Sequence, residues 1–228
     1  MELVYTGKTK NVYKLPNGNY QLVFKDDVTG VNGVFDPGAN HVGLQIQGAG
    51  LAALSLTQFF YTKLNDFNIP THFVCADLDK GTMEVLPATL FGRGLEVICR
   101  FRAVGSFLRR YGAYIEEGAP LDSFVEFTLK DDNREDPPIT EEALVQLGIM
   151  NREEYATIVQ LTKKIAHVVK DILAQKGLEL YDIKFEFGRI GTDKNLALID
   201  EISGGNMRAY KDGTYVDPLT VAKIILES

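Results

Sequence analysis

Hydrophobic and polar residues alternate in short runs through the first thirty positions, and the hydrophobic members are mostly β-branched or aromatic. Turn-forming residues separate the runs, chiefly Gly7 and the segment Pro16-Asn17-Gly18-Asn19. The pattern predicts an antiparallel meander of short strands. The strands are expected at residues 3–5, 11–15 and 20–25.

The pattern then changes from strand-like to loop-like and helical. Residues 30–48 are rich in glycine and are predicted to form a mobile loop. These glycines are Gly30, Gly33, Gly38, Gly43 and Gly48. Residues 51–64 have apolar side chains at helical spacing, and residues 151–176 form the clearest predicted helix, with a capping residue at Asn151 and Gly177 after its end. The predicted buried stripe of this long helix is Tyr155, Ile158, Leu161, Ile165, Val168 and Ile172.

The remaining runs complete the predicted order of elements. Strands are expected at residues 71–76, 83–87, 95–102, 121–129, 178–187 and 195–202, and short helices at 105–111 and from Thr140 onward. This order predicts an α+β protein of two lobes. We expect a β-rich lobe over residues 1–90, an α+β lobe over residues 91–228, and a ligand site in the cleft between them.

Composition narrows the classes of function. The chain has 228 residues, a formal net charge of −7 and 45% hydrophobic residues, so it is expected to fold around a core and not to bind nucleic acid. A small anionic substrate remains compatible, because it needs only a local cluster of lysine and arginine. Cys75 and Cys99 have no metal-binding spacing, and no signal peptide or membrane-spanning run is evident. A cytoplasmic protein without a membrane partner is therefore expected.

The strand at residues 180–188 carries the strongest chemical pattern. Asp182, Lys184 and Glu186 fall on one face because strand side chains alternate between faces. If the chain turns at residues 191–194, Glu186 lies near Asp200, and two carboxylates across a hairpin suit Mg²⁺. A solvated sheet face gives the same alternation and is the commoner cause of it.

Two basic segments suit anions. Gly7, Lys8 and Lys10 occur in the first hairpin, where a glycine lets the backbone approach a phosphate and two lysines neutralise it. The segment is not a Walker A loop, because the earlier glycine is absent. A solvated basic hairpin would have the same composition.

The second basic segment runs from Arg100 to Ser106. Arg100 and Arg102 end a predicted strand on one face, and Gly105-Ser106 opens a predicted helix, whose first amides favour anions. Arg208 follows Asp200 after a flexible loop. An exposed strand end would also carry such arginines. The three histidines, His41, His72 and His167, are scattered, and no motif for a covalent nucleophile is present. The clusters together suggest activation of a carboxylate by phosphoryl transfer.

These segments occur in the same order in SAICAR synthetases, and the chain resembles that family over residues 3–210, as a divergent member. The matching segments are Gly7-Lys8-Thr9-Lys10 with Tyr13, Lys25-Asp26-Asp27, Arg100 to Ser106, Asp182 to Gly188, and Asp200-Glu201-Ile202-Ser203 with Arg208. The resemblance implies a two-lobed SAICAR-synthetase-like fold with an ATP-grasp-like second lobe.

The resemblance also implies the reaction. The family uses ATP and Mg²⁺ to activate carboxyaminoimidazole ribonucleotide as an acyl phosphate, and the amine of aspartate displaces phosphate. The roles implied are ATP phosphate contacts for Gly7, Lys8 and Lys10, Mg²⁺ binding for Glu186 and Asp200, substrate anion binding for Arg100, Ser106 and Arg208, and catalysis by Asp182, Lys184 and Glu186. Family members are commonly dimers or larger, so a homo-oligomer is expected.

Several positions depart from the family pattern. The chain has Ala49-Gly50 in place of Lys-Gly, Gly204-Gly205 in place of Pro-Asp, and a short C-terminal tail around Pro218. Phe101 and Val104 also replace family residues. These changes leave two alternatives open, a related ligase that uses another carboxylate and amine, or a nucleotide-binding regulator without turnover.

Overall fold

A computed structural model describes residues 1–31, 34–35 and 42–227. The strands are β1 (Glu2–Thr6), β2 (Lys10–Lys14), β3 (Tyr20–Phe24), β4 (Asp27–Val31), β5 (Val34–Phe35), β6 (Val42–Gln45), β7 (Phe73–Asp77), β8 (Thr82–Val85), β9 (Ala88–Leu90), β10 (Leu95–Arg102), β11 (Pro120–Leu129), β12 (Glu179–Ile190), β13 (Asn195–Ile199), β14 (Met207–Lys211) and β15 (Thr214–Val216). The α-helices are α1 (Ala49–Asp66), α2 (Ser106–Tyr111), α3 (Glu141–Gln146), α4 (Arg152–Gln175) and α5 (Pro218–Leu226). The predicted α+β class is confirmed. In the described part of the chain, no helix is both long enough and apolar enough to cross a membrane.

The first sheet contains the predicted meander and is antiparallel, in the order β1-β2-β3-β8-β7. The predicted loop at residues 30–48 is partly wrong, because β4 pairs with β6 there. A Cβ on Gly43 would lie 2.5 Å from the carbonyl carbon of Gly30, so these glycines let two strands approach closely. Gly33, Gly38 and His41, which the prediction also covered, lie outside the described residues.

Helix α1 begins where the Lys25-Asp26-Asp27 segment meets it. The carboxylate of Asp26 accepts hydrogen bonds from the backbone N–H groups of Gly48 (3.1 Å) and Gly50 (3.0 Å), which satisfies amides that the first helical turn leaves unpaired. A Cβ on Gly50 would lie 2.8 Å from the carbonyl oxygen of Lys25, so only glycine fits without a shift of the backbone. The predicted helix is confirmed and begins two residues earlier, at Ala49.

The second sheet is built around β12, the longest strand. Its order is β11-β10-β12-β14-β15, and β9 and β13 pair with the second half of β12. Ile183, Phe185 and Phe187 point to one face and are buried beneath α4. The other face is polar and aligns side chains from neighbouring strands. Its cross-strand partners are Glu96 with Glu186, Ile98 with Lys184, Arg100 with Asp182, and Arg208 with Asp182.

Helix α4 forms as the sequence predicts. Asn151 and Glu154 form a capping box, with hydrogen bonds of 2.8 Å and 3.0 Å. Gly177, just after the helix, has a φ of 73°, a left-handed conformation that is unfavourable for residues with a side chain. Of the predicted stripe, Ile158 and Ile165 are fully buried and the other members are partly buried. The helix thereby covers the apolar face of β12 and leaves the polar face open to ligands.

Candidate active site

A cavity of about 210 Å³ lies between the first hairpin, the start of α1 and the polar face of β10 and β12. Five lysines and five carboxylates line it: Lys8, Lys10, Lys25, Lys130, Lys184, Asp27, Glu96, Glu186, Asp200 and Glu201. Six of the predicted site residues line this cavity, namely Gly7, Lys8, Lys10, Lys184, Glu186 and Asp200. The cavity therefore combines the predicted phosphate hairpin with the predicted carboxylate pair.

The hairpin that carries Gly7 turns tightly into the cavity. The backbone N–H of Gly7 donates to the Lys10 carbonyl at 2.8 Å, and a Cβ on Gly7 would lie 2.9 Å from that oxygen. Lys10 is buried, with its ammonium 3.0 Å from Asp200 and hydrogen-bonded to Glu201. Burial by itself would lower the pKa of Lys10, but the charges of Asp200 and Glu201 outweigh it and raise that pKa. Lys10 is therefore a permanent cation in the cavity wall.

The two predicted metal carboxylates come together within one residue of the predicted register. Glu186 pairs with Ile199, and Asp200 is the next residue. Burial raises the pKa of Glu186, Lys130 opposes that rise, and the negative charge of Asp200 adds to it. Burial would also raise the pKa of Asp200, but Lys10 and Lys130 outweigh it and lower that pKa. The pair thus places two interacting carboxylates in the cavity wall, each next to a lysine.

This donor set fits Mg²⁺. The cation prefers carboxylate oxygens and binds proteins through one or two carboxylates, with waters and substrate phosphates completing its shell. Within the residues that the structure describes, no group of three or more histidine, cysteine, aspartate or glutamate side chains could hold a metal by itself. A site of two carboxylates facing the predicted phosphate hairpin agrees with this coordination preference. A cation there would also relieve the repulsion between Glu186 and Asp200.

Lys130 and Glu96 are site residues that the sequence interpretation missed. The Lys130 ammonium lies 2.5 Å from Glu186, and Lys184 lies 2.7 Å from Glu96. Burial would lower the pKa of each lysine, but neighbouring carboxylates raise both. Lys130 directly follows β11, outside the segments that the sequence singled out, and only folding brings it to β12. Glu96 could have been found, because it shares a strand face with Arg100.

The predicted substrate-binding arginines form a second group at the other end of the polar face. Asp182 and Glu186 are four residues apart on β12, about 13 Å along the strand. Arg100 is buried and donates to Glu126 at 2.8 Å, Asp182 at 2.6 Å, Ser106 at 2.8 Å and the Val104 carbonyl at 3.3 Å. Every nitrogen of this guanidinium therefore has an acceptor within the protein.

Arg208 completes this second group and is more accessible than Arg100. Its guanidinium lies 2.8 Å from Asp182, and 15% of its side chain is exposed, against 2% for Arg100. A Cβ on Gly105 would lie 2.8 Å from Arg208, so the glycine lets the guanidinium cross the backbone just before Ser106. Arg208 and the Ser106 hydroxyl thus lie near each other, and the more deeply buried Arg100 donates a hydrogen bond to Ser106.

Four of the positions that depart from the family pattern meet in one part of the cavity. Ala49, Gly204, Gly205 and Pro218 all line it. A Cβ on Gly204 would lie 2.6 Å from the Cα of Pro218, so glycine here lets α5 pack against the loop. Asp217 caps α5 by accepting from the N–H groups of Leu219 and Thr220, both at 3.1 Å. The altered loop and the altered tail therefore form one packed unit.

Comparison with known proteins gives the family. Residues 3–222 match the sequence model of SAICAR synthetase. The chain belongs to the SAICAR synthetase family. It is 63% identical, over 227 residues and 100% of both chains, to the phosphoribosylaminoimidazole-succinocarboxamide synthase of Clostridium tetani (strain Massachusetts / E88). It is 36% identical to the synthase of Thermotoga petrophila, over 93% of this chain and 87% of that protein.

Solved SAICAR synthetases have the same fold. A SAICAR synthetase (Type-2) in complex with ADP superposes with a TM-score of 0.85 at 27% identity, covering 99% of this chain and 98% of that one. The synthase of Ehrlichia chaffeensis gives a TM-score of 0.84 at 28% identity, covering 95% and 89%. The chain is therefore an ATP-dependent ligase of purine biosynthesis, and the predicted family and enzyme class are confirmed.

Proposed function

We propose that the chain joins carboxyaminoimidazole ribonucleotide to L-aspartate, with ATP activating the carboxylate and Mg²⁺ at the carboxylate pair. The observation that carries this proposal is the polar face of β12. Lysines and carboxylates suited to a nucleotide and a cation lie at Glu186, and the arginine group lies about 13 Å away at Asp182. A strand that presents both groups can align a phosphate donor with a phosphate acceptor.

The nucleotide belongs at the cavity end of this face. Gly7, Lys8 and Lys10 bind the phosphates of ATP, and Glu186 and Asp200 hold Mg²⁺. The chemistry that Mg²⁺ supplies when bound is neutralisation of phosphate charge. Lys130 also neutralises phosphate charge. Its ammonium lies beside Glu186, and its raised pKa keeps it positively charged.

The ribonucleotide belongs at the arginine end. Arg208 and Ser106 contact its phosphate or carboxylate, while Arg100 supplies charge from behind and holds Ser106 in place. Lys184 lies between the two ends and Asp182 lies at the arginine end, and these two side chains orient the reacting groups. A carboxylate oxygen attacks the γ-phosphorus and ADP leaves. The aspartate amine then attacks the acyl carbon, phosphate leaves, and the nitrogen loses a proton. Positioning and charge neutralisation carry these steps.

The proposal also covers organisation and location. It includes a division of the chain into a β-rich lobe over residues 1–90 and an α+β lobe over residues 91–228. Association into homo-oligomers is supported by Leu3 and Val4, which are 52% and 43% exposed on the edge strand β1. Cytoplasmic location is supported by the free thiols of Cys75 and Cys99, which suit a reducing compartment.

ADP release with each reactant omitted in turn tests the reaction. The purified chain should release ADP only when ATP, Mg²⁺, carboxyaminoimidazole ribonucleotide and aspartate are all present, with a succinocarboxamide product. If ATP binds but no ADP forms with these reactants, the carboxylate and amine are wrong, and the alternative of a related ligase with other substrates is favoured.

Arg208→Ala is expected to raise the apparent KM for the ribonucleotide. Loss of one charge-assisted contact costs ~1.5–3 kcal/mol, or about 10–150-fold in kcat/KM. Steady-state kinetics with saturating ATP and aspartate measures the effect. Lys211→Ala, on the exposed end of the same strand, is the matched control and should leave KM unchanged. An unchanged KM in Arg208→Ala would remove Arg208 from the substrate site.

A further inference from the structure

His72 lies behind the carboxylate pair and has no role in the mechanism above. It stands between α1 and β7 and is 4% exposed. Its backbone N–H donates to the Leu198 carbonyl at 3.0 Å, and its carbonyl accepts from the N–H of Leu86 at 2.7 Å. Its position is therefore fixed from both sheets at once. From there, the Nε2 atom of the imidazole reaches to 3.4 Å from the Asp200 carbonyl oxygen.

The direction of this contact follows from the chemistry of the carbonyl group. A carbonyl oxygen can only accept a hydrogen bond. The contact therefore requires the tautomer with hydrogen on Nε2, which donates to Asp200.

Asp200 needs such support because of its backbone. Its φ is +67°, a left-handed conformation that costs a residue other than glycine ~1–2 kcal/mol. The residue lies directly after the end of β13, where the ladder with β12 stops. In this conformation the carboxylate of Asp200 lies 3.0 Å from the Lys10 ammonium and lines the cavity.

Tyr61 fixes the plane of the imidazole. This residue of α1 is 1% exposed, and its ring packs edge-on against His72, with centroids 6.0 Å apart and an interplanar angle of 75°. The backbone hydrogen bonds thus hold the main chain of His72, and the ring of Tyr61 packs against the imidazole.

We propose that His72 is a positioning residue for the divalent-cation site: through the Asp200 carbonyl, its imidazole holds Asp200 in the backbone conformation that presents the carboxylate to the cation. The inference rests on the proposed function, which assigns Asp200 to the cation. Partners that orient a metal ligand from behind typically contribute 10–100-fold to metal affinity.

Titration of Mn²⁺ in the presence of ADP, followed by the electron paramagnetic resonance signal of free Mn²⁺, tests the proposal without turnover. His72→Leu removes the donor at similar volume and should raise the half-saturating Mn²⁺ concentration about tenfold. His72→Gln keeps an amide donor and should stay within about threefold of the parent. Affinity for ADP without metal should be unchanged in both. A folded His72→Leu protein with parental Mn²⁺ affinity would overturn the proposal, as would equal losses in both variants.

Two further measurements separate the possible failures. Asp200→Asn should weaken Mn²⁺ binding at least as much as His72→Leu; if it binds Mn²⁺ like the parent, the proposed cation site is wrong and this inference falls with it. Nitrogen NMR of the parent protein with labelled histidine reports the tautomer directly and needs no variant to fold. A hydrogen on Nε2 of His72 supports the proposal, and a hydrogen on Nδ1 overturns it.

Discussion

Glu186→Gln is expected to abolish ligase turnover while leaving the fold intact. The substitution keeps the size of the side chain and removes the charge that binds the cation. Because a bound cation contributes several kcal/mol of charge stabilisation and each 1.36 kcal/mol is a factor of ten in rate, kcat should fall by about 10³-fold or more. The fold should survive, because burial and Asp200 already disfavour the charged form of Glu186. Its partner Lys130 can also turn to solvent, since 40% of its side chain is exposed.

The assay for this prediction is ADP release with all reactants, together with thermal unfolding of the protein alone. Glu179→Gln is the matched control, because Glu179 lies on the same strand with 46% of its side chain exposed and its carboxylate pairs with the partly exposed Arg102. The control should retain parental kcat. Near-parental turnover in Glu186→Gln, at an unchanged melting temperature, would contradict the assignment of Glu186 to the cation.

Arg100→Met is expected to be the most destabilising single change among the site residues. The substitution leaves Glu126 and Asp182 buried without their shared cation, and breaking a buried ion pair from one side typically costs ~3–5 kcal/mol. For a chain of this length each kcal/mol lowers the melting temperature by ~2–4 °C, so a decrease of roughly 6–20 °C is expected. Arg208 and Arg110 still face the two carboxylates but are placed at their outer sides.

Thermal and urea unfolding of Arg100→Met measure this loss. Arg102→Met is the control, two residues further along β10, where the ion pair with Glu179 is exposed and surface pairs contribute only ~0–1 kcal/mol. A melting temperature of Arg100→Met within 2 °C of the parent would show that the cluster tolerates the missing charge. Arg100 would then be available to act on the substrate directly.

The predictions for Glu186→Gln and Arg100→Met assign different roles to the two ends of the polar face of β12. Asp182, Lys184 and Glu186 look equivalent on an alternating strand, yet Asp182 is 3% exposed and serves two arginines, while Glu186 borders the cavity. The strand therefore carries a buried charge cluster at one end and the proposed cation carboxylates at the other. Loss of Arg100 is expected to act on stability, and loss of Glu186 is expected to act on rate.

The family departures fit the same view of coupled parts. Gly204 and Pro218 are in contact across the cavity wall, and Ala49 lines that wall as well. A bulkier residue at Gly204 would collide with Pro218 at the start of α5, so the loop and the tail are sterically coupled. Ala49, Gly204, Gly205 and Pro218 thus lie together in one wall of the cavity.

The sequence by itself determined the α+β class, the meander, the two long helices and six of the residues that line the cavity. Period-two alternation identified the polar face of β12, and capping residues located α4, because both signals act between neighbours in the chain. The ordered motifs further indicated the family. These features could be predicted because they depend on residues that are close together in the sequence.

Only the tertiary structure decided which of these charges meet. Lys130 directly follows β11, yet its ammonium lies 2.5 Å from the carboxylate of Glu186, which is 56 residues away in the sequence. His72 contacts Asp200, which is 128 residues away in the sequence. Arg100 donates its hydrogen bonds to groups within the protein and not to a ligand. Strand order, register and helix packing set such pairings, and they depend on the sum of many weak contacts over the whole chain. No periodicity in the sequence encodes that sum, so the charge partners and the roles that follow from them emerge only in the folded molecule.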